Sequence, residues 1–308
     1  MNESVLIVGT GALANLFAAR LSASGVSVTM LGAWREGLAA LQENGVRMAD
    51  ERGRESVYPV RATHDPQDCV GASLAFVLVK AWQTGRAAAQ LTQCLAPEGI
   101  ALSLQNGLGN QEILAGHLGG ERVGLGVTTT GATLLGPGRV RSGGEGAISL
   151  GSHPRLEPVI KLLDQASFTV EITTDLDALI WGKLVINAAI NPLTALLRVS
   201  NGELLIRPSA REIMKRTSCE VFDVASAQGI RLPFDEPASA AEDVARRTAA
   251  NRSSMLQDVS RGAPTEIDAI CGAVVVCGEQ YNVNTPVNRS LWLLVKAMTE
   301  GRQNYENR

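Results

Sequence analysis

Lys183, Asn187 and Asn191 recur at four-residue intervals inside the stretch "WGKLVINAAINPLTAL", residues 181–196. Groups four apart share one face of a helix. Leu184, Val185, Ile186, Ala188, Ala189 and Ile190 fill the rest of that cylinder, and no second charge accompanies the lysine. A solvated helix face usually carries more charge than this. Two readings stand: a stripe that faces water, or a stripe that lines a wet cleft and binds something. A lysine in a cleft can deliver a proton or hold a developing oxyanion. Amide side chains beside it donate and accept hydrogen bonds without adding charge.

A second constellation lies at the start of the chain. Gly9, Thr10, Gly11, Ala12, Leu13 and Ala14 spell G-x-G-x-x-A directly after the apolar run "VLIV". After a strand and at the opening of a helix, this is a dinucleotide-binding fingerprint. Gly9 allows the tight turn, Gly11 lets backbone approach a pyrophosphate, and Ala14 permits close helix–strand packing. The helix N-terminus supplies N–H donors and a partial positive charge to the phosphates. Sites for NAD place Asp or Glu at the end of the second strand. Here that region reads "TMLGAWREG", with Gly32, Ala33 and Trp34 at the strand end and Arg35 just after. The missing carboxylate and the nearby guanidinium favour NADP, and Trp34 is placed to stack on adenine.

The elements that must position these groups follow from the wider pattern. "SVLIVG", "VSVTML", "SLAFVLVK" and "GIALSLQ" read as strands, with helical stretches such as "ALANLFAARLSASG" and "TGRAAAQLTQCL" between them. That alternation implies a parallel sheet covered on both faces. The Gly-rich stretch from "VGLGV" to "AISLG", residues 123–151, reads as strands and turns that finish the sheet. After about Thr174 the texture becomes helical, in "DLDALIWGKLVINAAINPLTALL", "SAREIMKRTSCEVFDVASAQG", "ASAAEDVARRTAANRSSMLQDVSRG", "TEIDAICGAVVVCGEQYN" and "NRSLWLLVKAMTEG". Gly229, Gly262 and Gly301 suit helix ends. The expected fold is therefore α/β: a Rossmann-type dinucleotide-binding domain over residues 1–174, then an all-helical substrate domain over 175–308. A cleft between two such domains is a favoured ligand site. In a doubly wound sheet ligands sit beyond the carboxyl ends of the strands. Lys80 and Asn106 follow two such ends, so both are expected to face the coenzyme.

Bulk numbers narrow the class. The 308 residues suit two domains. A net charge of −3 gives no reason to expect a nucleic-acid or anionic-membrane partner. Five cysteines without a C-x-x-C pair, and three histidines, make a metal site unexpected and suggest reduced thiols in a cytoplasmic protein. "MNESVLIVGTG" lacks the basic start of a signal peptide, and no unbroken apolar run approaches a membrane span of about 20 residues. Apolar helices near the C-terminus, such as "AICGAVVVCG", could serve a core or a homodimer face.

"GTGALA", "LVKAWQT", "LQNGLGN", "KLVINAAINPLTAL", "NGEL" and "SSMLQDVSRGAPTEID" occur in this order along nearly the whole chain. In this the sequence resembles the ketopantoate reductases (2-dehydropantoate 2-reductases). The resemblance implies a Rossmann domain, a helical domain and NADPH-dependent reduction of 2-dehydropantoate to (R)-pantoate, a step of pantothenate and coenzyme A synthesis. It implies that Lys183 is the general acid and that Asn187, Asn191, Asn201 and Ser254 bind the keto acid. It implies that Glu266 sits near both coenzyme and reacting group. Asn106 and Lys80 match coenzyme-side positions, Asn106 also a substrate contact, and Ala132 matches a backbone contact to the nicotinamide end. Two departures stand out. The arginine that usually follows the second strand directly is displaced to Arg35, and Ser142 stands where many members carry histidine.

The chemistry is coherent. Desolvation lowers a buried lysine toward working pH, and a nearby carboxylate acts the other way. Taken alone, Glu266 could equally be a helix-start acid behind the N-cap Thr265, and Ser254 a helix-surface serine. The rivals are a reductase of another 2-keto acid and a non-catalytic NADP-binding paralogue. The intact set Lys183, Asn187, Asn191, Ser254 and Glu266 argues against the second.

Overall fold

The structure is a computed structural model that describes residues 4–50 and 52–303. The outermost ends of the two expected domains, residues 1–3 and 304–308, lie outside it. Contacts divide the chain into two compact units. The first runs up to Gln105 and continues over Asn110–Leu176; the second comprises Asn106–Gly109 and everything from Asp177 on.

In chain order the first unit contains β1 (Ser4–Val8), α1 (Ala12–Ala23), β2 (Ser27–Leu31), α2 (Arg35–Asn44), β3 (Val46–Ala49), β4 (Glu55–Tyr58), β5 (Arg61–Thr63), β6 (Ala72–Val77), α3 (Thr84–Cys94), β7 (Leu95–Ser103), α4 (Asn110–Leu118), β8 (Val123–Thr128), β9 (Ala132–Gly136), β10 (Arg139–Ser142), β11 (Ala147–Gly151), α5 (Glu157–Gln165) and β12 (Thr169–Thr173). Eight of these strands form one sheet in the order β12-β11-β8-β7-β6-β1-β2-β5. All neighbours run parallel except β11 with β8. Val5, Leu6, Ile7 and Val8 are all buried. That follows from cover on both faces. Ile7, Met30, Phe76 and Leu102 join a core with Phe17 of α1, Leu41 of α2 and Leu162 of α5. Leu6, Val8, Ala75 and Val77 join another with Leu91 of α3 and Leu114 of α4.

The expected completion of this sheet by residues 123–151 holds only for β8 and β11. β9 and β10 leave it and pair with β3 and β4 in a second sheet, ordered β4-β3-β10-β9. The reason lies in α1. Its Ala14, Leu16, Phe17, Ala18, Ala19 and Leu21 are buried all round the cylinder. A helix apolar on every side needs cover on every side. The second sheet supplies it, with the fully buried Val46 and Val140 in the same core as Phe17.

The second unit is helical: α6 (Leu176–Leu197), which starts one residue before the unit does, α7 (Pro208–Ala227), α8 (Pro237–Arg247), α9 (Ser254–Ser260), α10 (Ala273–Gln280) and α11 (Pro286–Gln303). The single helix expected across residues 238–262 is two. Asn251 N–H turns back to the Thr248 carbonyl at 2.8 Å, and Ser253 then caps α9 through its Oγ and the Leu256 N–H. Gly229 and Gly262 take positive φ just past α7 and α9, as expected, whereas Gly301 lies inside α11. The helix expected from Thr265 on begins as a π-turn, Asp268–Gly272, before α10. By length and hydropathy α6 could cross a membrane, but 67% of its most apolar window is buried within the protein. Trp181, Leu184, Val185, Ala188 and Ala189 pack there against Met214, Val221 and Val274.

Candidate active site

The first unit holds the glycine loop. Gly9 has φ +132°, and a Cβ on it would stand 2.8 Å from the Leu78 carbonyl oxygen, so only glycine fits. Its N–H donates to the Leu31 carbonyl at 2.8 Å, and Leu78 N–H donates to Val8 at 2.9 Å. The turn is thereby locked between the ends of β1, β2 and β6. Gly11 is the N-cap of α1, is exposed, and would meet nothing within 4 Å if it carried a Cβ. No side chain caps the helix, and its first turn holds no acid. Thr10 is buried, Ala12 and Leu13 are half-buried, and Ala14 is fully buried against the sheet. The local geometry thus fits a pyrophosphate at this helix N-terminus.

At the end of β2, Gly32 donates its N–H to the Thr63 carbonyl at 3.0 Å. A Cβ there would lie 2.7 Å from Cγ2 and 3.3 Å from Oγ1 of Thr10. The absent carboxylate therefore has a steric counterpart in the loop. Trp34 is half-buried, its indole laid against Gly37, where a Cβ would fall 2.8 Å from Cδ2. Arg35 is exposed at the first position of α2. Lys80 lies three residues beyond β6, at the cap of a short 3-10 turn, and is half-buried. Beside it Gln105 Nε2 donates to the Val79 carbonyl at 3.0 Å and to Thr84 Oγ1 at 2.8 Å, which ties the ends of β6 and β7 together. Ala132 opens β9 and is paired with Ser142 of β10.

In the second unit α6 carries the polar stripe. Asn191 is buried, and Lys183 and Asn187 are half-buried. The stripe is not an open solvent face. Burial pushes the Lys183 ammonium down from 10.5 to about 8, while the charge of Glu266 acts to raise it. Glu266 is only 5% exposed and accepts a hydrogen bond from Asn106 Nδ2 at 3.4 Å. It lies two residues before the π-turn, in a run of three buried residues with Thr265 and Ile267. Asn106 is held there by backbone. Leu108 N–H donates to the Ala269 carbonyl at 2.9 Å, and Gly107, at φ +80°, lies so close to that carbonyl that no side chain could enter. Lys183, Glu266 and Asn106 are thus neighbours although 160 residues separate the last two.

Asn201 is buried, but its Nδ2 is committed to Thr248 Oγ1 at 2.9 Å, and its Oδ1 is buried without a partner. Ser254 is exposed at the start of α9. The adjacent Ser253 is the buried one, 2.6 Å from Thr194 Oγ1, one turn beyond Asn191 on the same helix region. The Ser253–Thr194 pair is a structural contact that the sequence reading does not single out. A serine three residues ahead of a backbone N–H it caps is a readable signal, but two consecutive serines left the choice open. The sequence reading also misses Asn15, a fully buried amide inside α1.

The comparisons with known proteins decide the family. The description "Ketopantoate reductase PanE/ApbA" matches residues 5–155, and its C-terminal counterpart matches 175–299. The chain belongs to the ketopantoate reductase family. The 2-dehydropantoate 2-reductase of Archaeoglobus fulgidus is 38% identical, over 97% of this chain and 99% of the relative. That of Vibrio cholerae is 31% identical, over 96% and 98%. Among solved structures, a PanE/ApbA family ketopantoate reductase from Ralstonia eutropha superposes with a TM-score of 0.91 at 29% identity, covering 97% of this chain and 99% of that one. D-mandelate dehydrogenase with NADH and anilino(oxo)acetate gives 0.90 at 25%, with the same coverage. The α/β first part and helical second part expected from the sequence are those of this family.

Proposed function

We propose that this protein reduces 2-dehydropantoate to (R)-pantoate with NADPH. The observation that carries the reading is Lys183, half-buried on the helix that also bears Asn187 and Asn191, its ammonium brought down to about 8 by burial against the opposing charge of Glu266. When bound, NADPH supplies the hydride for the carbonyl carbon. Gly9, Thr10, Gly11, Ala12, Leu13 and Ala14 would hold its pyrophosphate, Arg35 its 2′-phosphate, and Lys80 and Ala132 its remaining length. The Lys183 ammonium stabilises the negative charge that develops on the carbonyl oxygen, then Nζ gives that oxygen its proton and is left a neutral amine, to be reprotonated from water before the next turnover. Glu266 favours the protonated lysine, and Asn106 holds the Glu266 carboxylate in place. Asn187 and Asn191 bind the substrate's carboxylate and hydroxyl, with Asn201 and Ser254 as further contacts.

A second reading, a reductase of another 2-keto acid, is favoured by the comparable superposition of D-mandelate dehydrogenase. It keeps the mechanism and changes the substrate. The homodimer belongs to the same proposal: Leu293 and Leu294 on α11 and Val276 on α10 expose apolar side chains, and sedimentation analysis tests it. The deciding experiment is steady-state NADPH oxidation with 2-dehydropantoate beside a panel of other 2-keto acids. A kcat/KM for 2-dehydropantoate well above the panel supports the first reading. Turnover only with another keto acid supports the second, and silence across the panel with NADPH still binding defeats both.

A further inference from the structure

Asn15 is a buried polar side chain that neither the glycine fingerprint nor the proposed chemistry uses. It lies in the first turn of α1 with no exposed surface. Its Nδ2 donates to the Thr10 carbonyl at 2.9 Å and to the Gly11 carbonyl at 2.8 Å. Its backbone N–H donates to the Gly11 carbonyl as well, at 3.0 Å. Its Oδ1 is buried with no partner. An orphaned amide oxygen in a core is a standing cost, which a leucine of similar size would avoid. The amide is therefore present for its two donated bonds.

Those bonds orient the loop. In a planar trans peptide the N–H points opposite to the C=O. Drawing the Thr10 carbonyl back toward Asn15 turns the Gly11 N–H forward, off the helix N-terminus. Drawing the Gly11 carbonyl back does the same for the Ala12 N–H. Both donors then face the open space at Gly11, where a Cβ would meet nothing within 4 Å and where no side chain caps the helix. We infer that Asn15 is a positioning residue, which fixes these two N–H groups on the pyrophosphate of the coenzyme. The inference rests on the coenzyme reading proposed above.

The test compares two ligands on the full chain by titration calorimetry. NADPH carries the pyrophosphate; adenosine 2′-phosphate lacks it. Asn15→Leu keeps the volume, removes the donors and removes the orphaned oxygen. Removing the orphaned oxygen and stranding the Thr10 carbonyl act in opposite directions, so its melting temperature is expected close to that of the unaltered protein. NADPH is expected to bind about 10–100-fold more weakly, the scale of hydrogen bonds to a charged group. Adenosine 2′-phosphate is expected within about twofold of its original affinity. If Asn15→Leu does not fold, Asn15→Ala carries the same comparison. NADPH affinity within about twofold in a folded variant overturns the inference, as does an equal loss for both ligands. An unaltered protein that binds no NADPH overturns the coenzyme reading itself, and this inference with it.

Discussion

The alkaline limb of the reduction profile tests the proton donor most sharply. Lys183 must carry a proton before it can give one. Burial brings it from 10.5 to about 8, with Glu266 opposing the fall. At that value about nine-tenths of the lysine is protonated at pH 7 and about one-tenth at pH 9. The kcat/KM for keto-acid reduction, which reports the free enzyme, should therefore fall about tenfold between those two pH values, and about tenfold again per further unit. Glu266→Gln keeps the shape and an acceptor for Asn106 but removes the charge that raises the lysine. Its limb should move to lower pH. Lys183→Ala should lose the limb and lower kcat by about 10²–10⁴-fold with the fold intact. The assay is NADPH oxidation followed by absorbance across the pH range. A near-normal kcat in Lys183→Ala, or a limb unmoved in Glu266→Gln, refutes the assignment. The same shift has a stability sign. Folded Lys183 loses its proton near pH 8 and the unfolded chain near 10.5, so in that window the unfolded state binds more protons and stability rises with pH. The cost of burying the charge is fully present below the window. In Lys183→Met that rise should disappear from melting curves recorded across it.

Three further outcomes are expected. Asn187→Ala and Asn191→Ala should mainly raise KM for the keto acid, with smaller effects on kcat, in steady-state kinetics. Gly32→Asp alone should not recruit NADH, because its Cβ meets two heavy atoms of Thr10. Adding Thr10→Ala leaves only an ordinary 3.6 Å contact and should raise the NADH-to-NADPH ratio of kcat/KM by about tenfold over the single variant, the scale of a charge-assisted bond to ribose; equal ratios in the two variants would dismiss the steric argument. Ser253→Ala removes the cap of α9 and the bond to Thr194, and should cost about 1–2 kcal/mol in denaturant unfolding.

Much of this protein is written locally. The fingerprint is readable because a strand, a glycine turn and a helix are contiguous, and each has a composition that states its role. The stripe on α6 is readable because its period is that of the helix carrying it. From such local patterns the fold class, the glycine loop and the stripe follow, whereas Asn201, Ser254, Glu266 and Ala132 are singled out only by the family resemblance. The second sheet does not follow from local pattern. Its strands fall within 46–58 and 132–142; β3 and β4 are four residues each, too short to show a clear period, and β4 is mostly exposed. Only the need to cover an all-round apolar α1 brings them together.

The site shows the same division. The sequence by itself determined which groups are available: an amine and two amides on one helical face, a carboxylate at Glu266, and donors at the end of α1. Tertiary structure decided what those groups are. Burial and the nearness of Glu266, 83 positions away in sequence from Lys183 by their numbers, set the lysine near 8. Asn106 reaches Glu266 because its loop is fastened to the turn at Ala269. Asn15 reads in the sequence as one amide lost among alanines, and becomes the brace of the glycine loop only when the carbonyls of Thr10 and Gly11 turn toward it. Residue type fixes what a group can donate or accept. Desolvation, charge and hydrogen-bond direction depend on what surrounds it, and for these residues those surroundings come from distant parts of the chain or from the exact turn of the backbone.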